Sequence, residues 1–244
     1  MNKSRMRLIE DYKVGNTVEV YAEIQKLGQD AFLPENYSGV EAVLIETFER
    51  VAYNLEVIYT ELKKTGYVFF NRPLNKPSPE TEMLLIKLDN AVKEYGYIPL
   101  SLKYFYKIVG SVDFAWNYET EKTFLWEMAD PIQIISLDEI VTHVTNENWK
   151  EDIQYYVDDE NFGFAFLELS ADDLHKDNVS GGSPYSLKIP KKQTIDSDFV
   201  NDPHQTTFID YLRVCFEYCG FPGNPADDSY REFITKVRPK LKQI

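Results

Sequence analysis

Between residues 40 and 64, Leu44, Phe48, Val51, Leu55, Ile58 and Leu62 recur in steps of four and three. That spacing puts them on one face of a helix, and Gly66 stands where the helix should stop. A proline-rich loop, "NRPLNKPSPETEM", follows, with Ser78 and Pro79 as a helix opening. A second helix is predicted through "TEMLLIKLDNAVKEYG", burying Leu85, Leu88, Val92 and Tyr95 and ending at Gly96. The first 38 residues read as a helical extension. Beyond Pro99, "PLSLKYFYKIVG" is a short helix closed by Gly110.

There the period changes from about 3.6 to two. Val112, Phe114, Trp116 and Tyr118 alternate with Ser111, Asp113, Ala115 and Asn117, the pattern of a strand with one buried face. The polar "ETEK" then turns the chain, and Phe124, Trp126 and Met128 repeat the alternation, which predicts a hairpin with Trp116 and Trp126 meeting across it. "DPIQIISLDEIVTHV" reads as a third strand feeding a helix capped by Asp138. "QYYV" reads as a short strand, "FGFAFLEL" as a strand apolar on both faces at the sheet centre, and "SPYSLKI" as another strand. The intervening "SADDLHKDNVSGG" is a solvated polar turn with two permissive glycines. Phe208, Tyr211, Leu212, Cys215 and Cys219 form a helical stripe, and a last helix, "DDSYREFITKV", runs into a basic tail.

Helices, strands and helices in that order predict an α+β fold: a central, mostly antiparallel sheet of about five to six strands with helices on one face and at both chain ends. Residues 1–78 form a helical N-terminal extension packing on the core, and residues 79–244 form the α+β domain. The aromatic run "YGYIPLSLKYFYKIVGSVDFAWNY" is then the seam where helix docks on sheet.

Composition narrows the function classes. Forty acidic against 26 basic residues give a net charge of -14, which opposes nucleic-acid binding, since that draws on Lys and Arg to neutralise phosphates. The same balance suits a basic protein partner, or simply keeps the surface solvated. No apolar run approaches the roughly 18–20 residues of a bilayer span, so a cytoplasmic protein without membrane contact is expected. The two cysteines, Cys215 and Cys219, lack companions for a metal site and read as reduced, buried thiols.

Chemistry-bearing constellations are few. Asp172, Asp173, His175 and Asp177 offer oxygen and imidazole ligands, but their spacing matches no calcium loop. His143 and His204 pair with no nucleophile by spacing, and "SGG" lacks the lysine and helix of a phosphate-binding loop. The expectation is a non-enzyme with no cofactor and no metal. Glu147, Glu151, Asp152, Asp158, Asp159, Glu160, Asp172, Asp173 and Asp177 face only Lys150 and Lys176, and compose an acidic face. On it, Trp149, Tyr155, Asp158, Asp159, Glu160, Asp172 and Asp173 are the expected partner-binding residues, with Tyr156 adding contact area.

Pro99, Leu102, Phe105, Tyr106, Gly110, Phe114, Trp116 and Pro131, with "DPIQIISLDEI", "FGFAFLEL" and "SGGSPYSLKI", resemble the SUKH superfamily, the group that includes the yeast cell-wall-assembly regulators. The resemblance covers about residues 80 to 220. It implies a single α+β domain that binds other proteins. Many bacterial members are immunity proteins that neutralise toxins, often nucleases, while eukaryotic members act in regulatory networks. The function expected is a non-catalytic immunity protein binding a basic toxin domain. A regulatory scaffold without a toxin partner is the alternative, and a metal-dependent hydrolase at Asp172 to Asp177 a distant third.

Overall fold

The computed structural model describes residues 3–120 and 126–244, with side chains from residue 7 onward. Its axis is the helix α3 (Pro34–Thr65), whose buried side includes Leu44, Phe48, Val51, Leu55, Ile58 and Leu62. Pro34 occupies its first turn, and Gly66, left-handed at φ 85°, ends it by donating to the carbonyls of Leu62 and Lys63. Helices α1 (Lys3–Lys13) and α2 (Thr17–Leu27) precede it, and α1 packs against it. Tyr12 ties the two, since its hydroxyl accepts from Thr47 Oγ1 at 2.8 Å within the core. Residues 242–244 lie along α3 as well: Asn54 exchanges two hydrogen bonds with Lys242, at 2.8 and 2.7 Å, and Arg50 Nη1 donates to Gln243 O. A continuous apolar cluster runs from Leu8 through α3 to Ile244.

Helices α4 (Thr81–Val92) and α5 (Leu100–Ile108) follow, with α5 seated on α3 through Phe48 and Phe105, whose rings meet edge to face at 6.3 Å. Gly110 then turns the chain at φ 98°, so close to the strand at residues 74–75 that a Cβ would stand 2.0 Å from Asn75 O. Only glycine fits both the angle and the space. The aromatic run around it is a docking seam: Phe105, Tyr106 and Phe114 are fully buried, and the Tyr106 hydroxyl donates to Ile135 O.

The fold is α+β, and its strands divide between two three-stranded antiparallel sheets. The first has the order β1 (Leu74–Asn75), β2 (Ser111–Asp113), β3 (Gln133–Ile134); the second, β4 (Phe166–Ser170), β5 (Tyr185–Lys188), β6 (Phe199–Val200). In place of one central sheet, the two sheets meet through a backbone bond, Ile135 N–H to Leu169 O at 2.9 Å, beside Ala171 N–H donating to Gln133 Oε1. A bulge between Glu168 and Ser170 bends β4 at that junction.

Several local expectations are corrected. Beyond Asp113 the chain leaves the ladder, and Trp116 bridges to Phe69. The expected return arm begins in residues 121–125, including Phe124 and part of the "ETEK" turn, which lie outside the described residues. Trp126 packs instead on Phe221, Tyr230 and Phe233, and Tyr67 stands between the two indoles, 4.9 Å from Trp116 and 6.1 Å from Trp126. The cap of α6 (Leu137–Val144) is Ser136, which with Glu139 forms a reciprocal capping box, and not Asp138. Residues 154–157, read as a strand, belong to the helix α7 (Glu147–Asp158). The polar turn after β4 contains one helical turn, α8 (Asp173–Lys176). Helices α9 (Phe208–Glu217) and α10 (Asp228–Val237) complete the fold, and Cys215 and Cys219 are buried free thiols.

Candidate protein-interaction face

Helix α7 starts at Asn146, whose side chain accepts the Asn148 N–H at 3.0 Å, and it buries Trp149 and Ile153, four residues apart on one face. Trp149 meets Tyr95 edge to face at 5.6 Å and is only 5 % exposed, so it anchors the helix and presents no surface to a partner. The other side of α7 carries Glu147, Glu151, Asp152, Tyr155 and Asp158, all exposed.

After α7 the chain reverses through Asp159, whose carboxylate accepts the N–H groups of Asn161 and Phe162 at 2.7 and 3.3 Å. Gly163 N–H returns to Tyr156 O. The residues entering β4 then alternate: Ala165, Leu167 and Leu169 point into the core, whereas Phe162, Phe164 and Phe166 lie on the outer side. Where an outer strand face would ordinarily be polar, this one is aromatic. Tyr156 packs on Phe162 at 5.2 Å and on Phe166 at 5.0 Å, Tyr155 meets Tyr156 at 5.7 Å, and Phe164 links Phe162 and Phe166. Tyr155 and Phe162, at the outer end of this five-ring ladder, are 70 % and 46 % exposed.

Charge surrounds the ladder unevenly. Residues 147–160 hold six carboxylates and one lysine, Lys150, which lies 3.7 Å from Glu94. Lys188 sits 4.8 Å over the Phe164 ring and is paired with Asp198 at 3.3 Å. Both cations are thus already engaged, while Glu151, Asp152 and Glu160 remain exposed. Exposed aromatic area thus lies beside unbalanced negative charge.

The other half of the expected acidic face lies elsewhere in character. Asp172 is 3 % exposed and caps α8: its Oδ1 accepts the His175 N–H at 2.9 Å, and its Oδ2 lies 2.6 Å from His175 Nδ1. Asp173 is half-buried, its N–H donating to the Tyr185 hydroxyl, and Asp177 accepts the Met128 N–H at 2.7 Å. Burial pushes the Asp177 carboxyl above its usual range. Gly182 passes so near that a Cβ would fall 2.6 Å from the Asp172 carboxylate carbon. Lys176 turns inward to Asp130. These residues build a cap and a buried ion pair, and among the described residues no three His, Cys, Asp or Glu side chains converge to hold a metal ion.

Thiol chemistry fares no better. Burial raises the Cys215 thiol well above its ordinary pKa and the Cys219 thiol to about 12, the opposite of what a nucleophile needs. Of the residues expected to bind a partner, Tyr155, Asp158, Asp159 and Glu160 lie with Tyr156 beside the aromatic ladder, whereas Phe162, Phe164 and Phe166 were not among those expected. The signal for these was present in the unbroken alternation of "FGFAF", taken there as interior.

No family model, no curated protein and no solved structure was found to match this chain.

Proposed function

We propose that this chain is a non-catalytic protein-binding module of the cytoplasm that captures a basic partner, and that the partner is a toxin domain which it neutralises as an immunity protein. The observation that carries the reading is the exposed end of the aromatic ladder, Tyr155 and Phe162, set among Glu151, Asp152, Asp158 and Glu160 with both local lysines already paired. The carboxylates would speed encounter with a positively charged surface, and the rings would supply desolvated area once docked. The likeness of the helix-to-sheet seam to the SUKH superfamily supports the choice of a toxin as partner. If that toxin is a nuclease, the carboxylates would cover the basic groups with which it grips phosphate.

The test is crosslinking capture from the native cell, identification of the bound protein, and titration of that protein's toxicity or enzymatic activity against purified chain. A basic partner silenced at a one-to-one ratio supports the proposal. A basic partner bound without any loss of activity favours a regulatory scaffold, and an acidic partner removes the proposal.

A further inference from the structure

From Lys242 onward the described chain lies outside every helix and strand, and three side chains of α3 and α9 read its main chain. Asn54 accepts the Lys242 N–H at 2.7 Å and donates to the Lys242 carbonyl at 2.8 Å. Arg50 Nη1 donates to Gln243 O at 2.9 Å, and Arg213 Nε donates to Ile244 O at 2.9 Å. Among the described residues, 242–244 make no backbone-to-backbone hydrogen bond. Side-chain burial is confined to the two ends of this segment: Ile244 is buried and Leu241 half-buried, whereas Lys242 and Gln243 are exposed, with the Lys242 ammonium 4.4 Å over the Tyr53 ring.

Two of the three readers are held without the segment. Arg50 is fixed by Glu46 at 2.8 Å and by the Tyr12 ring at 4.8 Å, and Arg213 by Asp210 at 2.6 Å and by the Tyr21 ring at 5.0 Å. Asn54 is different. It is fully buried on α3, and among the described residues Lys242 alone supplies hydrogen-bond partners to its amide. A buried amide with nothing to pair with is costly, so this position requires one main-chain N–H and one carbonyl from the same residue of an occupying peptide. The arrangement is that of a peptide site, in which main-chain bonds give affinity and the burial of chosen side chains gives selectivity.

We propose that this strip of α3 and α9 is a binding site for a peptide segment that is aliphatic at its first and fourth residues and basic at its second, which residues 241–244 occupy from within the chain and an incoming segment replaces. The site is separate from the aromatic ladder. A tethered occupant sees its site at roughly millimolar effective concentration, so a free peptide competes poorly with the native segment and gains once that segment's aliphatic anchors are removed.

Anisotropy titrations of a fluorescein-labelled peptide "KLKQI" with the full chain and with its Ile244→Gly variant test this. The variant should bind the peptide saturably, one per chain, at least about tenfold more tightly than the wild type does. The peptide "KGKQG" should bind the variant at least about tenfold more weakly than "KLKQI". Should Ile244→Gly unfold, Leu241→Gly loosens the same segment at its other anchor and is read in its place. Equal affinity of wild type and variant, equal binding of the two peptides, no saturable binding, or unfolding of both variants would overturn the proposal.

Discussion

Lys176 Nζ lies 2.6 Å from Asp130 Oδ1, and the two side chains are 0 % and 3 % exposed. The Tyr185 hydroxyl donates to the other oxygen of Asp130 at 3.2 Å, and the ammonium rests 4.6 Å over the Tyr185 ring. Asp130 holds a left-handed φ of 50°, so local backbone strain is accepted to make the pair. Removing one partner strands the other charge in the interior. Lys176→Met should therefore cost about 3–5 kcal/mol in urea unfolding, and Lys176→Met with Asp130→Leu distinctly less. A double variant as unstable as the single would contradict the account of the pair.

Gly110 is the second fixed point. Gly110→Ala brings a Cβ to 2.0 Å from Asn75 O at a φ of 98°, so β1 and β2 must part. The expected loss is on the order of 3 kcal/mol, read from the denaturant midpoint.

Glu61 governs acid stability. Its side chain is 7 % exposed and lies within 3.3 Å of three ammonium groups, Lys64, Lys240 and Lys236, which hold its carboxyl down at about 2 against an ordinary 4.5. The folded pKa lies below the unfolded one, so this contribution is complete above about pH 4.5 and fades as pH falls toward 2. Glu61→Gln should be less stable than the wild type at pH 7, and the difference should shrink through that window. A difference constant with pH would show that the three lysines do not act on this carboxylate.

How far these features could be read beforehand varied with their range in the chain. The buried face of α3 and its glycine stop were legible because a helix writes its core side at fixed local spacing. The buried state of Lys176 was not, since its partner Asp130 is 46 residues away and the surrounding "ADDLHKDN" is as polar as any exposed turn. Helix α7 was misjudged at Tyr155 and Tyr156, where adjacent aromatics suggested a strand, although Trp149 and Ile153 already marked a helical face and Asn146 its cap. Trp116 and Trp126 were correctly read as packing side chains but not as partners across a hairpin, because Tyr67, nearly fifty residues upstream, separates them. Of the proposed docking face, the charges stand in the local sequence, whereas the rings gather only when β4 folds beside α7.

Charge on that face should act on encounter. Asp158→Lys, Asp159→Lys and Glu160→Lys together should lower the association rate with the captured partner by about ten- to a hundredfold at low salt, with the gap closing as salt rises. Stopped-flow measurements at two ionic strengths would show it, and equal rates for variant and wild type would exclude these carboxylates from steering.

The most direct test of the docking face is the dissociation rate of the partner complex from Tyr155→Ala with Phe162→Ala, two exposed rings whose loss leaves the core intact. The account predicts dissociation faster by about thirtyfold or more, with an unchanged thermal midpoint of the free chain. Dissociation at the wild-type rate would contradict it.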